Sequence, residues 1–131
     1  ILISAAAVSD YMPVEVSSEK LKKGADKIVL QMQQTPDILK EAASKKRGRV
    51  VVGFAAESQN MIENAVKKLR EKNLDFIVAN DITRKDIGFG SDYNEVTIID
   101  KHGQQERIPL LSKDRIAECI MKRIVDGLGK M

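Results

Sequence analysis

Arg49-Val50-Val51-Val52-Gly53-Phe54-Ala55-Ala56, continued through Ser58 to Asn73 and then Phe76-Ile77-Val78-Ala79, is the stretch that decides the fold. Its first run is continuously apolar and β-branched, the pattern of a strand buried on both faces of a parallel sheet. The next segment carries Met61, Ile62, Ala65, Val66 and Leu69 at helical spacing, with Ser58 as the predicted cap and Asn73 as a tolerated C-terminal residue. The third run closes at Asn80-Asp81. Strand, helix and strand in this order predict a parallel pair joined by a crossover helix.

Toward the N-terminus, Thr35-Pro36-Asp37 reads as a helix start: a Thr cap, Pro at the first helical position, and an acid at the positive end of the dipole. That helix is expected to run through Ile38, Leu39, Ala42 and Ala43 and to dissolve at Lys45-Lys46-Arg47-Gly48. Before it come a short β-type run, Lys27 to Met32, and a polar, Lys-rich loop from Ser17 to Gly24. The opening Ile1-Leu2-Ile3-Ser4-Ala5-Ala6-Ala7-Val8, bounded by Ser9-Asp10, reads as another buried strand. A central parallel strand needs neighbours on both sides, and the chain starts without Met. The expectation is therefore a fragment whose first strand–helix units lie elsewhere.

Toward the C-terminus, Gly88-Phe89-Gly90-Ser91-Asp92-Tyr93-Asn94 leads into a strand from Glu95 to Ile99. Lys101-His102-Gly103-Gln104 turns the chain back into Glu106-Arg107-Ile108-Pro109-Leu110, which Pro109 assigns to a sheet edge. Ser112 is the predicted cap of a last helix with Ile116, Ile120, Met121, Ile124, Val125 and Leu128 on one face. The whole is α/β: a Rossmann-like three-layer fold, mostly parallel, with a C-terminal β-hairpin and helix.

At 131 residues the chain is expected to form one domain, residues 1–131. Its 22 basic and 19 acidic residues give a charge of +3, too mild to define a nucleic-acid binder, and aromatic residues at 4% are too few for stacking platforms. A basic surface from Lys45 to Arg49 and Lys67 to Lys72 is disfavoured as a nucleic-acid site on those grounds. One Cys excludes an internal disulfide framework and fits a reducing cytoplasm. No apolar run reaches the roughly 18 residues of a bilayer span, so no membrane partner is expected.

Ligands of such sheets sit at the carboxyl ends of the strands, here Ser9-Asp10, Ala55-Ala56-Glu57 and Asn80-Asp81. There is neither a GxGxxG nor a Walker loop, and no His/Cys metal cluster. His102 reads as a solvated turn residue. Cys119, lacking an activating base, reads as structural. Lys68 and Lys72 are four apart on one helix and can converge on an anion, and Lys20 lies in a loop leaving the first strand's carboxyl end. Against this stands the reading of all three as solvated surface lysines. Asp10 can bond a sugar hydroxyl or base edge, or cap a loop. Pattern alone reaches a nucleotide- or phosphate-binding α/β domain.

Seven segments in order carry a more specific likeness. They are Ser4-Ala5-Ala6-Ala7-Val8-Ser9-Asp10-Tyr11, Glu19-Lys20-Leu21-Lys22-Lys23, Thr35-Pro36-Asp37-Ile38-Leu39, Gly53-Phe54-Ala55-Ala56-Glu57-Ser58, Lys72-Asn73-Leu74-Asp75, Val78-Ala79-Asn80-Asp81 and the Gly88 to Asn94 loop. Together they resemble bacterial phosphopantothenate–cysteine ligase, in many bacteria the C-terminal half of a bifunctional coenzyme A biosynthesis protein. The resemblance implies a multifunctional, cytoplasmic, dimeric enzyme. It joins 4′-phosphopantothenate to L-cysteine with CTP and Mg²⁺, through an acyl-cytidylate, releasing CMP and pyrophosphate; FMN belongs only to the absent decarboxylase half.

Position by position, the resemblance implies a CTP site of Ser4, Ala5, Ala6, Asp10, Lys20, Pro36, Asp37, Ile38, Leu39, Phe54, Lys68 and Lys72, with Lys20 also catalytic. Phe54 matches a Phe at the base, and Lys27 to Met32 a strand for pairing between subunits. The family's Gly-rich opening turn and its Asn-x-Ser-Ser-Gly segment are absent, so this fragment is expected to bind nucleotide weakly and turn over little. The alternative is a non-catalytic nucleotide-binding or dimerisation module.

Overall fold

A computed structural model describes residues 1–20, 24, 28–83 and 90–128. Contacts group the chain into two compact units, Ile1–Ala5 with Leu39–Met131, and Ala6–Ile38.

The larger unit is built on β4 (Val51–Glu57) and β5 (Phe76–Asp81). β4 is hydrogen-bonded in parallel to both β1 (Leu2–Ser4) and β5, which is why its run is unbroken by polar residues. β6 (Tyr93–Asp100) pairs antiparallel with β5, and β7 (Gln105–Ser112) antiparallel with β6. The order is β1-β4-β5-β6-β7, so four of the five strands point the same way. Pro109 falls in β7, at the edge, where its missing N–H costs no ladder bond.

Alternation along the strands splits the core into two layers. Val50, Val52, Phe76, Val78 and Ile98 pack against Ile116, Ile120 and Ile124 of α3 (Lys113–Leu128). Val51, Ala55, Ile77 and Ile99 pack on the other face against Ala43 of α1 (Ile38–Ser44) and Ala65 and Leu69 of α2 (Met61–Glu71). Each fully buried Ile or Val contributes about 1.5–3 kcal/mol. Gly53 faces the second layer so closely that a Cβ there would lie 2.7 Å from Leu74 Cδ1 and 3.0 Å from Leu39 Cδ2.

α2 ends as its sequence predicts. Asn73 takes φ 53°, its N–H bonds Arg70 O, and the Leu74 N–H bonds Leu69 O at 2.9 Å, a Schellman closure. Ser112 caps α3 through the Arg115 N–H, and Gly103 takes φ 84° in the β6–β7 turn.

Other expectations are corrected. Ser58 is not the cap of α2; Asn60 holds that position in the left-handed region at φ 48°, without a side-chain bond. Met121, Val125 and Leu128 are exposed, because α3 meets the sheet along the i, i+4 line of Ile116, Ile120 and Ile124. β1 covers only Leu2–Ser4, and among the described residues it is hydrogen-bonded to β4 alone, with Ile1, Leu2 and Ile3 exposed.

In the smaller unit, β2 (Tyr11–Pro13) and β3 (Met32–Gln34) form an antiparallel ribbon. The expected strand at Lys27 to Met32 therefore begins later, at Met32, where the partner strand offers a ladder. Lys27 lies outside the described residues, as do Leu21, Lys22, Lys23, Gly88 and Phe89 of the sequence motifs. Thr35 is not the cap of α1: its hydroxyl donates to Ser9 O at 2.6 Å, and helical structure starts at Ile38.

Candidate functional site

β4 and β5 end side by side, and β1 ends beside the middle of β4. Ser4 is in register with Gly53, and Glu57 with Asp81. The end of β5 is fixed by Asp81, whose Oδ1 accepts the Thr83 N–H and hydroxyl at 2.8 and 2.6 Å. At the end of β4, the Ile82 N–H donates to Glu57 O at 3.1 Å.

Six of the twelve predicted CTP residues belong to the larger unit. Ser4 is half-buried at the end of β1, and Ala5 follows it, exposed. Leu39, half-buried in α1, packs against the core layer under α2. Phe54 is 38% exposed. It points to the sheet face opposite α2, because its neighbours Gly53 and Ala55 point toward α1 and α2. Lys68 and Lys72 lie on α2 and at its C-cap, separated by about 6 Å of helical rise. The fold thus places Phe54 and the two lysines on different faces.

The other six lie in the smaller unit. Ala6, Asp10, Lys20, Pro36, Asp37 and Ile38 are all exposed. The carbonyl of Asp10 accepts the Thr35 N–H at 3.0 Å, which brings Asp10 beside the Pro36–Ile38 segment. Lys20 makes no hydrogen bond or ion pair among the described residues.

The strongest electrostatic feature of the strand edge is one that sequence reasoning missed. The Lys68 ammonium donates to Glu57 Oε1 at 2.6 Å, and Asn64 Nδ2 donates to Glu57 Oε2 at 3.1 Å and to Gln59 O at 3.0 Å. The Glu57 and Lys68 side chains are 12% and 46% exposed. The signal lay in a strand-end acid followed by amide and ammonium groups at i+7 and i+11, a full turn apart on the helix returning over that strand.

A cleft of about 460 Å³ opens between α2 and the outer strands, lined by Met61, Ile62, Asp81, Thr97 and Arg107 among others. Arg107 donates from Nε and Nη2 to Glu95 Oε1 at 2.9 and 2.6 Å across its mouth. None of the twelve predicted residues lines it. Among the described residues no three His, Cys, Asp or Glu side chains converge as a metal site, and no helix is long and apolar enough to cross a membrane. His102 is exposed in the β6–β7 turn, and Cys119 is packed partly buried against the α3 layer.

The fold and its strand-end edge define a Rossmann-like α/β domain. Residues 1–128 match the model of the DNA/pantothenate metabolism flavoprotein C-terminal domain, and the chain belongs to that family. It is 44% identical over 124 residues to the coenzyme A biosynthesis bifunctional protein CoaBC of Bacillus subtilis (strain 168), covering 95% of this chain and 30% of that protein. It is 40% identical over 126 residues to a cysteine/cysteine sulfinic acid decarboxylase from an unknown prokaryotic organism, covering 95% and 35%. The crystal structure of the C-terminal domain of a CoaBC protein superposes with a TM-score of 0.74 at 38% identity, over 96% of this chain and 53% of that one. The chain thus spans about a third of the length of these curated relatives.

Proposed function

We propose that this chain is part of a phosphopantothenate–cysteine ligase of coenzyme A biosynthesis, of the CTP-dependent type. The observation that carries the reading is the family match over residues 1–128, continuous through every segment that resembles the ligase. In the proposed reaction the carboxylate of 4′-phosphopantothenate attacks the α-phosphorus of CTP and expels pyrophosphate. The amine of L-cysteine then attacks the acyl carbon and expels CMP. Little covalent chemistry is left to the protein, whose task is to position substrates and stabilise developing negative charge. Lys20 is assigned to that second task, and its exposure leaves it accessible to a ligand. Ser4, Ala5, Ala6, Asp10, Pro36 to Leu39, Phe54, Lys68 and Lys72 are assigned to CTP.

Magnesium fits this reading as a passenger of the triphosphate. The described residues offer no three-ligand cage, and Mg²⁺ characteristically binds through one or two carboxylates plus substrate phosphates. It would neutralise charge on the phosphates; Glu57 and Asp81 are the carboxylates that end β4 and β5. The flavin belongs to the other half of such bifunctional proteins.

A homodimer is part of the same proposal. In the smaller unit Val16, Ile28, Val29 and Leu30 are between 60% and 91% exposed, and a two-stranded ribbon is marginal in water without further cover. A second copy would supply that cover. Leu30→Glu is expected to shift sedimentation from dimer to monomer; an unchanged dimer would remove this segment from the interface.

The activity is tested by pyrophosphate release on the full-length protein that carries this chain, offered CTP or ATP with phosphopantothenate and cysteine. Dependence on phosphopantothenate, a preference for CTP and loss of activity in Lys20→Gln are expected. Release that ignores phosphopantothenate, or persists unchanged in the variant, overturns the reading.

A further inference from the structure

Resting on the proposed nucleotide role of Lys68, we infer that Glu57 is its positioning residue, and that the pair meets the ligand as a neutral unit at the nucleoside end, not as a free countercharge to the triphosphate. The geometry supplies the reason. A lysine recruited for phosphate charge is most effective with its charge unspent. Here the ammonium lies 2.6 Å from Glu57 Oε1, so the charge of the pair sums to zero. What remains are the outward N–H groups of an ammonium held still. These can donate to a base carbonyl, a ring nitrogen or a ribose hydroxyl, at little cost in side-chain entropy on binding.

The support for Glu57 is layered. Its backbone is fixed by the parallel register with Asp81 and by the Ile82 N–H. Its second oxygen is held by Asn64, which is itself tied to Gln59 O. Lys67, the residue before Lys68 on α2, lies 3.9 Å from Glu71. At 12% exposure Glu57 touches little solvent itself, so it acts through Lys68 and is not assigned a contact with the reacting atoms.

The experiment is a calorimetric titration of CTP and of CMP, without the other substrates, on the full-length protein and its Lys68→Met, Glu57→Gln and doubly substituted forms. The inference expects Lys68→Met to weaken CTP and CMP by the same factor, about tenfold, as one charge-assisted hydrogen bond is lost. Glu57→Gln is expected to weaken both nucleotides similarly, and the double variant to be no worse than Lys68→Met, because the two residues act as one unit. Glu57→Asp keeps the charge but withdraws it by one methylene. It should fall between wild type and Glu57→Gln, and it carries the test should the latter not fold.

Three outcomes overturn the inference while leaving the nucleotide reading intact. They are a Lys68→Met loss seen with CTP but absent with CMP, a Glu57→Gln variant that binds CTP more tightly, or additive losses in the double variant. A wild-type protein that binds neither nucleotide overturns the proposed function and this inference with it.

Discussion

Both ends of the parallel pair β4–β5 carry an acid paired with lysine, yet the two pairs are built differently. At the amino end, Asp75 precedes β5 with its side chain 5% exposed. Its carboxylate accepts Lys46 Nζ at 3.2 Å and the Val51 N–H at 2.9 Å, with Lys101 Nζ at 3.5 Å. Its own N–H and C=O bond Val51 O and the Lys101 N–H. One residue therefore ties together the segment after α1, the start of β4 and the β6–β7 hairpin. At the carboxyl end, Glu57 accepts from Asn64 Nδ2 and from Lys68, which is 46% exposed. The Asp75 carboxylate is more deeply buried than that of Glu57 and also takes a backbone N–H, and its lysines, 21% and 38% exposed, reach less solvent than Lys68.

The largest effect that would break this contrast is at Asp75. Asp75→Ala leaves the buried Val51 N–H without its acceptor and takes the carboxylate from Lys46 and Lys101, which are 21% and 38% exposed, and about 2–3 kcal/mol of stability should be lost in urea unfolding. A loss below about 1 kcal/mol would show the clamp to be ornamental.

Arg123→Met tests the second fastener at that end. Arg123 Nη2 lies 2.8 Å from Asp100 Oδ2 and its guanidinium carbon 5.6 Å from the Phe76 ring centroid. Asp100 keeps the His102 and Gln104 N–H donors, so the cost should be smaller, about 1–3 kcal/mol by the same measurement.

Glu57→Gln should cost less than about 1 kcal/mol, since its partner is half solvated. A loss equal to that of Asp75→Ala would make both ends structural and erase the distinction.

The smallest effect belongs to an exposed pair outside both sites. Lys45, by its hydrogen bond and then its charge, holds the Glu41 carboxyl below its ordinary value of 4.5. A depressed folded-state value stabilises the fold above the unfolded value and is lost as pH falls through the folded one. Glu41→Gln should therefore lower stability slightly near neutrality and not at all once pH has fallen below the folded-state value, so that the acid limb of the stability curve is flattened below about pH 4.5.

How much of this was legible beforehand differs by element. The runs at β4 and β5, the closure of α2 at Asn73 and the capping of α3 by Ser112 are local: each depends on hydrophobic period or on a turn chemistry that few residues satisfy. Ser58 and Thr35 misled because several residues near a helix start can cap, and tertiary bonds chose among them; Thr35 is engaged by Ser9 O. The twelve site positions came from likeness of motif. That likeness carried no information on sheet faces, so the placement of Phe54 opposite Lys68 was invisible to it.

The sequence by itself determined the α/β class, the central strand, the hairpin and the family, because apolar period and ordered motifs are properties of neighbours along the chain. Only the tertiary structure decided that Lys68 is held by Glu57 and Lys46 by Asp75, pairs separated by 11 and 29 positions. Charges find partners by distance in space. Which of the 22 basic residues meets which of the 19 acidic ones is fixed only when the strands have taken their order.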